Sequence, residues 1–179
     1  MTGEDISVWR ERARVVSQRD FTAQHPHPFL LRKRLTRTAP VRATTPETRS
    51  DWDEGMRYHT DVVEVGQVPT RPVGRIAGSK IVPVTKSDRN PFSEQISVGR
   101  AKNCDIILRD QTVSKHQAFF RAVGPSSAEI VDVSSQHTTR VNGAPSIPGE
   151  PVVLSSGDTI TFGGVACLFL DAAALYEML

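Results

Sequence analysis

Short runs of β-type residues recur between residues 73 and 170, with turn residues between them. The run QAFFRAV places Ala118 and Phe120 on one face, and the run TITF alternates Ile160 and Phe162 with threonines. Alternation of this kind is the period of a half-buried strand. Many short strands at close spacing, without a long helical pattern among them, predict an all-β sandwich or barrel. The final residues, DAAALYEML, favour a helix and predict a short closing one.

The N-terminal third of the chain has a different pattern. Apolar residues recur there at three-to-four spacing among arginines: Ile6, Trp9, Ala13 and Val16. This spacing predicts one amphipathic helix over residues 4–20, with its apolar stripe docked against another surface.

The next two segments predict the division of the chain. Residues 23–35, AQHPHPFLLRKRL, contain two prolines that end any helix and an apolar triplet beside three cations, which we interpret as a hydrophobic anchor with a basic flank. Residues 36–70 are rich in Thr, Pro, Arg and Asp, and this composition predicts a linker or disordered segment because it buries little apolar surface. The predicted organisation is an N-terminal adaptor (residues 1–35), this linker, and a β-domain (residues 71–179).

Charge is distributed unevenly, although the net charge of +2 indicates neither a nucleic acid nor a membrane partner. Residues 10–42 carry nine Lys or Arg against two acids, whereas residues 61–179 carry eleven against twelve. The basic N-terminal stretch therefore keeps a nucleic-acid tether open as an alternative function.

Cysteine content and hydropathy exclude several classes of protein. The two cysteines, Cys104 and Cys167, are too few for a disulfide framework and lack metal-ligand spacing, so we expect buried thiols in a reducing compartment and no metal or cofactor. No apolar run approaches the roughly 18–20 residues of a membrane helix, and the N-terminus lacks the pattern of a secretory signal. We therefore expect a cytoplasmic protein without membrane insertion.

Candidate chemistry is concentrated between Ile96 and Phe120, ISVGRAKNCDIILRDQTVSKHQAFF. The pattern predicts strands joined by two loops that carry Arg100, Ser114 and Lys115. A guanidinium fork, a hydroxyl and an ammonium group on a rigid β-scaffold suit the capture of a phosphate. Neither a complete phosphate-binding loop of the nucleotide-hydrolase type nor a catalytic triad is present in the sequence, so we predict that the protein is not an enzyme.

Four blocks within residues 96–170 match a known family in order and spacing: SVGRAKNCDIIL, TVSKHQAFF, DVSSQHTTRVNG and LSSGDTITFGG. Together they resemble a forkhead-associated (FHA) domain, a phosphothreonine-binding module. The resemblance implies an FHA-type β-sandwich of two twisted, mainly antiparallel sheets. It also implies a binding function in bacterial Ser/Thr-kinase signalling.

The resemblance assigns roles to individual residues. Arg100 matches the arginine that grips the phosphate, Ser114 the serine whose hydroxyl bonds it, and Lys115 a basic position of the same pocket. Asn142 and Gly143 match a turn that supports the neighbouring loop, and an Asn-Gly pair is typical of a type I′ turn.

Two positions depart from the family pattern. Gln117 stands where the family has a structural histidine, and its amide can still support the loop through hydrogen bonds. His137 stands where the family has an asparagine that bonds the peptide backbone. We predict that His137 and the following Thr139 and Arg140 line the peptide site.

The sequence therefore predicts a non-catalytic adaptor that binds a phosphothreonine-containing protein and acts downstream of a Ser/Thr kinase. Thr48 and Thr60, in the predicted linker, are candidate phosphorylation sites that the domain would bind in cis or in a neighbouring copy. The departures at Gln117 and His137 keep a rival open, in which the FHA scaffold serves as a phosphate-independent assembly module.

Overall fold

The computed structural model describes residues 3–32, 79–133, 135 and 137–179. The predicted linker, with Thr48 and Thr60, lies outside these residues, and so does the first of the β-type runs, VGRIA at residues 73–77. The described strands are, in chain order, β1 (Glu4–Asp5), β2 (Phe29–Arg32), β3 (Lys80–Pro83), β4 (Ile96–Gly99), β5 (Ile106–Ile107), β6 (Ala118–Arg121), β7 (Ser127–Asp132), β8 (Arg140–Val141), β9 (Ala144–Pro145), β10 (Pro151–Ser155), β11 (Thr159–Phe162) and β12 (Val165–Leu170). The described helices are α1 (Ile6–Arg14), α2 (Gln18–Gln24) and α3 (Ala172–Met178).

The strands form two sheets packed face to face. One sheet has seven strands in the order β1-β3-β2-β12-β11-β8-β9, and the other has five in the order β10-β7-β6-β4-β5. Neighbouring strands run antiparallel except for β4 and β5, which are parallel. Side chains from both inner faces form one apolar cluster, in which Phe120 and Phe169 stack with their ring centroids 6.4 Å apart. The predicted β-sandwich is confirmed.

Strand β2 is the main difference from the predicted organisation. It lies between β3 and β12, with Leu30 opposite Val82 on one side and Phe169 on the other. Leu30 faces the cluster between the sheets, whereas Phe29 and Leu31 face a second cluster on the opposite side of the sheet. A strand that is buried on both faces shows no polar alternation, so the apolar triplet alone does not distinguish such a strand from a hydrophobic anchor.

Two helices replace the single helix predicted for residues 4–20. Asp5 caps α1 by accepting a hydrogen bond from Ser7 N, and Ser17 caps α2 by accepting one from Asp20 N at 3.2 Å. A new N-cap at Ser17 ends the predicted continuity because the capping residue itself adopts an extended backbone.

The helices form a third layer on the outer face of the seven-stranded sheet. Their buried side chains join Phe29, Leu31 and Ile81 of the sheet: Ile6, Trp9 and Ala13 of α1, Phe21 of α2, and Ala172 and Leu175 of α3. Residues 3–32 thus belong to the same compact unit as the residues from 79 onward. The predicted boundary at residue 35 does not separate an adaptor from the sandwich in the structure. No helix in the described part of the chain is long and apolar enough to cross a membrane.

Candidate phosphopeptide-binding site

Two loops at one end of the five-stranded sheet are joined through their backbones. The first loop follows β4 and begins with Arg100, and the second precedes β6 and contains Ser114 and Lys115. Arg100 N donates to Ser114 O at 3.0 Å, and Ala101 N donates to Lys115 O at 3.1 Å. The structure therefore places the three predicted phosphate ligands on two loops that hydrogen-bond directly to each other.

Gly99 permits this close approach. A Cβ atom added at Gly99 would fall within 3 Å of the carbonyl group of Lys115, which is backbone and cannot rotate away. A glycine immediately before Arg100 is therefore a steric requirement of the two-loop arrangement.

The three side chains differ in exposure. Arg100 and Lys115 are exposed, and Ser114 is half-buried. The backbone of Lys115 is held further by Cys104, whose thiol lies 3.3 Å from its carbonyl oxygen. Two cations thus stand at the surface on a backbone that is fixed beneath them, and their contact with a phosphate remains a prediction.

Gln117 joins the second loop to a third, between β7 and β8. Its side chain is fully buried, and its Oε1 accepts a hydrogen bond from Ser114 N at 3.0 Å. Its Nε2 lies 2.6 Å from Ser135 Oγ, 2.6 Å from His137 O and 3.1 Å from Thr139 Oγ1. Two N–H donors thus meet three acceptors, so the amide is fully engaged. An amide supplies an acceptor on one side and donors on the other, which suits a bridge between two loops.

Asp132 organises the third loop from its base. Its buried carboxylate accepts hydrogen bonds from Ser135 N at 2.9 Å, Ser135 Oγ at 2.8 Å and Thr139 N at 2.8 Å. Burial acts to raise the pKa of Asp132, but the hydrogen bonds from Thr139 and Ser135 outweigh it, so the pKa lies below its ordinary value. The carboxylate is therefore charged at neutral pH and fixes the loop on both sides of His137.

The predicted peptide-lining residues of the third loop do not share one environment. His137 and Arg140 are exposed, and the Arg140 guanidinium donates to Gly143 O at 3.1 Å. Thr139, in contrast, is 0% exposed, and its hydroxyl and its amide are bonded to Gln117 and Asp132. Thr139 thus differs from the prediction, since a side chain without exposed surface supports the loop and does not line a peptide.

Asn142 and Gly143 form the predicted turn between β8 and β9. Their φ angles are 51° and 85°, the pair of positive values that a type I′ turn requires. The Asn142 side chain donates to Asp158 Oδ1 and accepts from Thr159 N, both at 2.9 Å. The turn is therefore hydrogen-bonded to the start of β11. It lies at the end of β8, the strand that follows the third loop.

One charged residue of the site was missed by sequence reasoning, although it lies in the first quoted block. Asp105 is 5% exposed, and its carboxylate accepts from the backbone and hydroxyl groups of Ser87 and Ser97 and from Asn90 Nδ2 at 2.6 Å. Burial acts to raise the pKa of Asp105, but these hydrogen bonds lower it well below its ordinary value. This charged group anchors the segment before β4 to the loop that carries Arg100. An aspartate at the start of an apolar strand was the available signal.

The described residues contain no cluster of three or more His, Cys, Asp or Glu side chains that could hold a metal ion. Both cysteines are buried, and burial raises the pKa of Cys167 to about 12. Two of the described cations in the basic N-terminal stretch have acidic partners: Arg12 pairs with Glu4 at 2.7 Å, and Arg32 lies 3.8 Å from Asp110.

Comparison with known proteins identifies the family of one segment of the sandwich. A family model described as "FHA domain" matches residues 96–163. Residues 96–163 are an FHA domain. Strands β1, β2, β3 and β12 lie outside the matched segment, although all four belong to the seven-stranded sheet.

Curated relatives of this FHA domain are bacterial proteins. The oxoglutarate dehydrogenase inhibitor of Corynebacterium jeikeium is 40% identical over 80 residues, which are 45% of this chain and 53% of that protein. The glycogen accumulation regulator GarA of Mycolicibacterium smegmatis is 39% identical over 74 residues, which are 41% of this chain and 44% of that protein. The chain spans about half the length of the curated relatives it matches.

Similar solved structures include an FHA domain and a complex with a phosphopeptide. The FHA domain of the CT664 protein from Chlamydia trachomatis aligns with a TM-score of 0.45 and 19% identity, covering 55% of this chain and 91% of that one. Mycobacterium tuberculosis EmbR, solved with a low-affinity phosphopeptide, aligns with a TM-score of 0.39 and 26% identity, covering 44% of this chain and 20% of that one.

Proposed function

We propose that this protein is a non-catalytic adaptor whose FHA domain binds phosphothreonine in a partner protein, downstream of a Ser/Thr kinase. The observation that carries the proposal is the backbone pairing of the Arg100 loop with the Ser114–Lys115 loop, at 3.0 and 3.1 Å. It supports a pocket that is formed before the ligand arrives, so little ordering entropy opposes binding.

The chemistry of the three side chains matches the proposed ligand. Phosphothreonine carries about −1.5 to −2 charges at neutral pH and three acceptor oxygens. Arg100 provides a fork of N–H donors, Lys115 a second positive charge, and Ser114 a hydroxyl. Arg140 adds positive potential beside them.

His137 is proposed to contact the peptide next to the phosphothreonine. Its carbonyl is bonded to Gln117 at 2.6 Å, so the backbone at this position is held while the ring stands at the surface. A neutral imidazole donates from one nitrogen and accepts at the other, whereas an imidazolium donates from both.

A titration with phosphothreonine peptides tests the proposal. We expect a degenerate phosphothreonine peptide array to bind, its unphosphorylated counterpart not to bind, and Arg100→Ala to remove binding. Arg19→Ala, which removes an exposed arginine from α2, is the matched control and leaves binding intact. Equal binding of phosphorylated and unphosphorylated peptides, or retention of binding in Arg100→Ala, would exclude the proposal.

The names of the curated relatives, an inhibitor and a regulator, support a regulatory role without catalysis. Capture of a partner that survives phosphatase treatment would favour the rival function, a phosphate-independent assembly module. Binding to nucleic acid that weakens steeply with salt and is lost on deletion of residues 10–42 would favour the tether instead.

The chain also carries candidate ligands of its own. We propose that a kinase phosphorylates Thr48 or Thr60 and that the FHA domain binds the modified segment in cis or in a neighbouring copy. A tethered ligand has a high effective concentration, so it competes with free peptides. Phosphorylated protein should therefore bind the peptide array more weakly than Thr48→Ala/Thr60→Ala protein treated in the same way. Equal affinities would contradict this extension.

A further inference from the structure

The hairpin turn between β11 and β12 contacts the second loop of the proposed phosphate site. Gly164 N donates a hydrogen bond to Thr112 Oγ1 at 2.8 Å. Gly163 has a φ angle of 57°, and a Cβ atom added there would fall within 3 Å of the Thr112 carbonyl group. Two successive glycines therefore let the backbone of the turn lie directly against Thr112. The contact joins the seven-stranded sheet to the loop that leads into β6 of the other sheet.

The Thr112 hydroxyl is engaged on a second side by Asp110. Thr112 Oγ1 donates to Asp110 Oδ1 at 2.7 Å, and Thr112 N donates to the same oxygen at 3.0 Å. These two hydrogen bonds lower the pKa of Asp110, with a smaller contribution from the charge of Arg32. Because the hydroxyl gives its only proton to this carboxylate, it meets Gly164 N as an acceptor. One hydroxyl thus satisfies both neighbours.

Thr112 lies two residues before Ser114, and Val113 lies between them. Val113 is 1% exposed and belongs to the cluster between the sheets. Ser114 O accepts from Arg100 N at 3.0 Å, so the segment is held beyond Val113 as well as before it. A loop that is anchored only by one buried side chain can turn about it, whereas contacts on both sides of that side chain fix its orientation. The contact at Thr112 therefore bears on the direction of the Ser114 and Lys115 side chains.

We propose that Thr112 is a positioning residue for phosphate capture. Its hydroxyl, held between Asp110 and Gly164, fixes the orientation of the second loop. That loop presents Ser114 and Lys115 to the phosphate, so Thr112 acts through them without touching the ligand. The proposal rests on the proposed function, because it concerns the same phosphate site.

Removal and restoration of the hydroxyl test this role. Thr112→Ala should weaken binding to the phosphothreonine peptide array about tenfold, because Gly164 N and Asp110 lose their shared partner. Thr112→Ser keeps the hydroxyl and should bind as the wild type does. The matched control is Thr22→Ala, which removes a hydroxyl that donates to carbonyl oxygens of its own helix, α2. It should leave the affinity unchanged, and thermal unfolding of each variant verifies its fold.

A double-mutant cycle with Gly164→Ala tests whether the turn acts through Thr112. The new Cβ atom would lie 2.9 Å from Thr112 Oγ1 and 3.5 Å from its Cγ2, so Gly164→Ala should displace the hydroxyl and weaken binding. Thr112→Ala lacks both of these atoms. The double variant should therefore bind about as well as Thr112→Ala alone, since the second change finds nothing left to displace.

The outcomes separate this proposal from the proposed function. Wild-type affinity in Thr112→Ala, or a loss of affinity that Thr112→Ser does not restore, overturns the positioning role and leaves phosphate-dependent binding standing. Equal weakening in Thr22→Ala overturns it too, because the effect would then be general destabilisation. Additive losses in the cycle with Gly164→Ala also overturn it. Absence of phosphate-dependent binding by the wild type overturns both proposals.

Discussion

Two apolar clusters lie on opposite faces of the seven-stranded sheet, and the chain builds them differently. The cluster between the sheets takes most of its members from the chain between Val98 and Phe169, with Leu30, Val82 and Val84 added from earlier in the chain. The cluster beneath the helices takes its members from the two ends of the described chain, from Ile6 to Leu31 and from Leu170 to Leu175, with Ile81 between them.

This difference shows that residues 96–163, which match the FHA domain, do not contain every strand of the seven-stranded sheet. Leu30 is 0% exposed and belongs to the cluster between the sheets, yet it lies well before residue 96. The helices cover the other face of the same strand, and the Tyr176 hydroxyl donates to Val16 O at 3.0 Å, which joins the C-terminal helix to the N-terminal segment. The N-terminal segment is therefore a structural part of the domain in addition to any adaptor role.

The largest expected effect comes from breaking the layer beneath the helices. Phe29→Ala should lower the free energy of unfolding by about 3–5 kcal/mol, because Phe29 is 0% exposed and its removal leaves a cavity. Urea unfolding is followed by tryptophan fluorescence and by far-ultraviolet circular dichroism, and the midpoints of both signals should shift together to lower urea concentration. Val8→Ala, at a position 38% exposed on α1, is the control with little change. A sandwich signal that keeps its wild-type midpoint in Phe29→Ala would show that the two clusters are independent.

A second prediction concerns the loop end of the sandwich. Gly99→Ala should lower the free energy of unfolding by about 3 kcal/mol and weaken phosphopeptide binding, because the new Cβ forces the two loops apart at Lys115. Gly124→Ala is the matched control, since a Cβ there meets its nearest neighbour at an ordinary 3.5 Å. Chemical unfolding and peptide titration measure both effects, and wild-type values for Gly99→Ala would contradict the close approach.

A smaller effect is expected at the bridge between loops. Gln117→Ala should cost about 2 kcal/mol, because Ser114 N and the acceptors at Ser135, His137 and Thr139 lose their shared partner. The rate of hydrogen exchange at backbone amides should increase in the Ser114 loop and in the His137 loop, while the helices keep their protection. Gln111→Ala, at an exposed position on the second loop, supplies the comparison. Unchanged exchange at the His137 loop would argue against a bridge.

The smallest effect is a difference in pH dependence between the two regions. Burial, followed by the nearby charges of His27 and Arg12, lowers the pKa of His25, whose ring lies 5.2 Å from Trp9 and 4.7 Å from Phe21 between centroids. Since the folded pKa lies below the ordinary value of 6.5, the stabilisation that neutral His25 supplies is present above about pH 6.5 and is lost as pH falls.

The loops of the sandwich respond at lower pH. The pKa of Asp132 is depressed from 3.8, so its contribution is present above about that pH and is lost only as pH falls through the lower folded value. Acidification from pH 7 to pH 5 should therefore change Trp9 fluorescence, read in a Trp52→Phe background, before it affects loop exchange. His25→Gln should flatten this change. The opposite order of the two signals would contradict the assignment.

Local patterns predicted much of the sandwich and part of the site. Ala118 and Phe120, like Ile160 and Phe162, alternate with other residues along their strands, and their side chains are buried in the core. The alternation was readable in the sequence because a half-buried strand has an apolar residue at every second position. The turn at Asn142 and Gly143 was predictable for a similar reason, since positive φ angles select these residue types.

The amino-acid sequence by itself determined three features: the series of strands from residue 80 onward, the Asn-Gly turn, and the two loops that carry Arg100, Ser114 and Lys115. Each of these features depends on residues that are neighbours in the chain. Tertiary structure decided the rest. Phe29–Arg32 is an inner strand because other parts of the chain cover both of its faces. Thr139 is buried because Asp132 and Gln117, which lie in other segments, form hydrogen bonds with it. The hydrogen bonds from Gln117 to residues about twenty positions away exist only where the fold has already brought the second and third loops together.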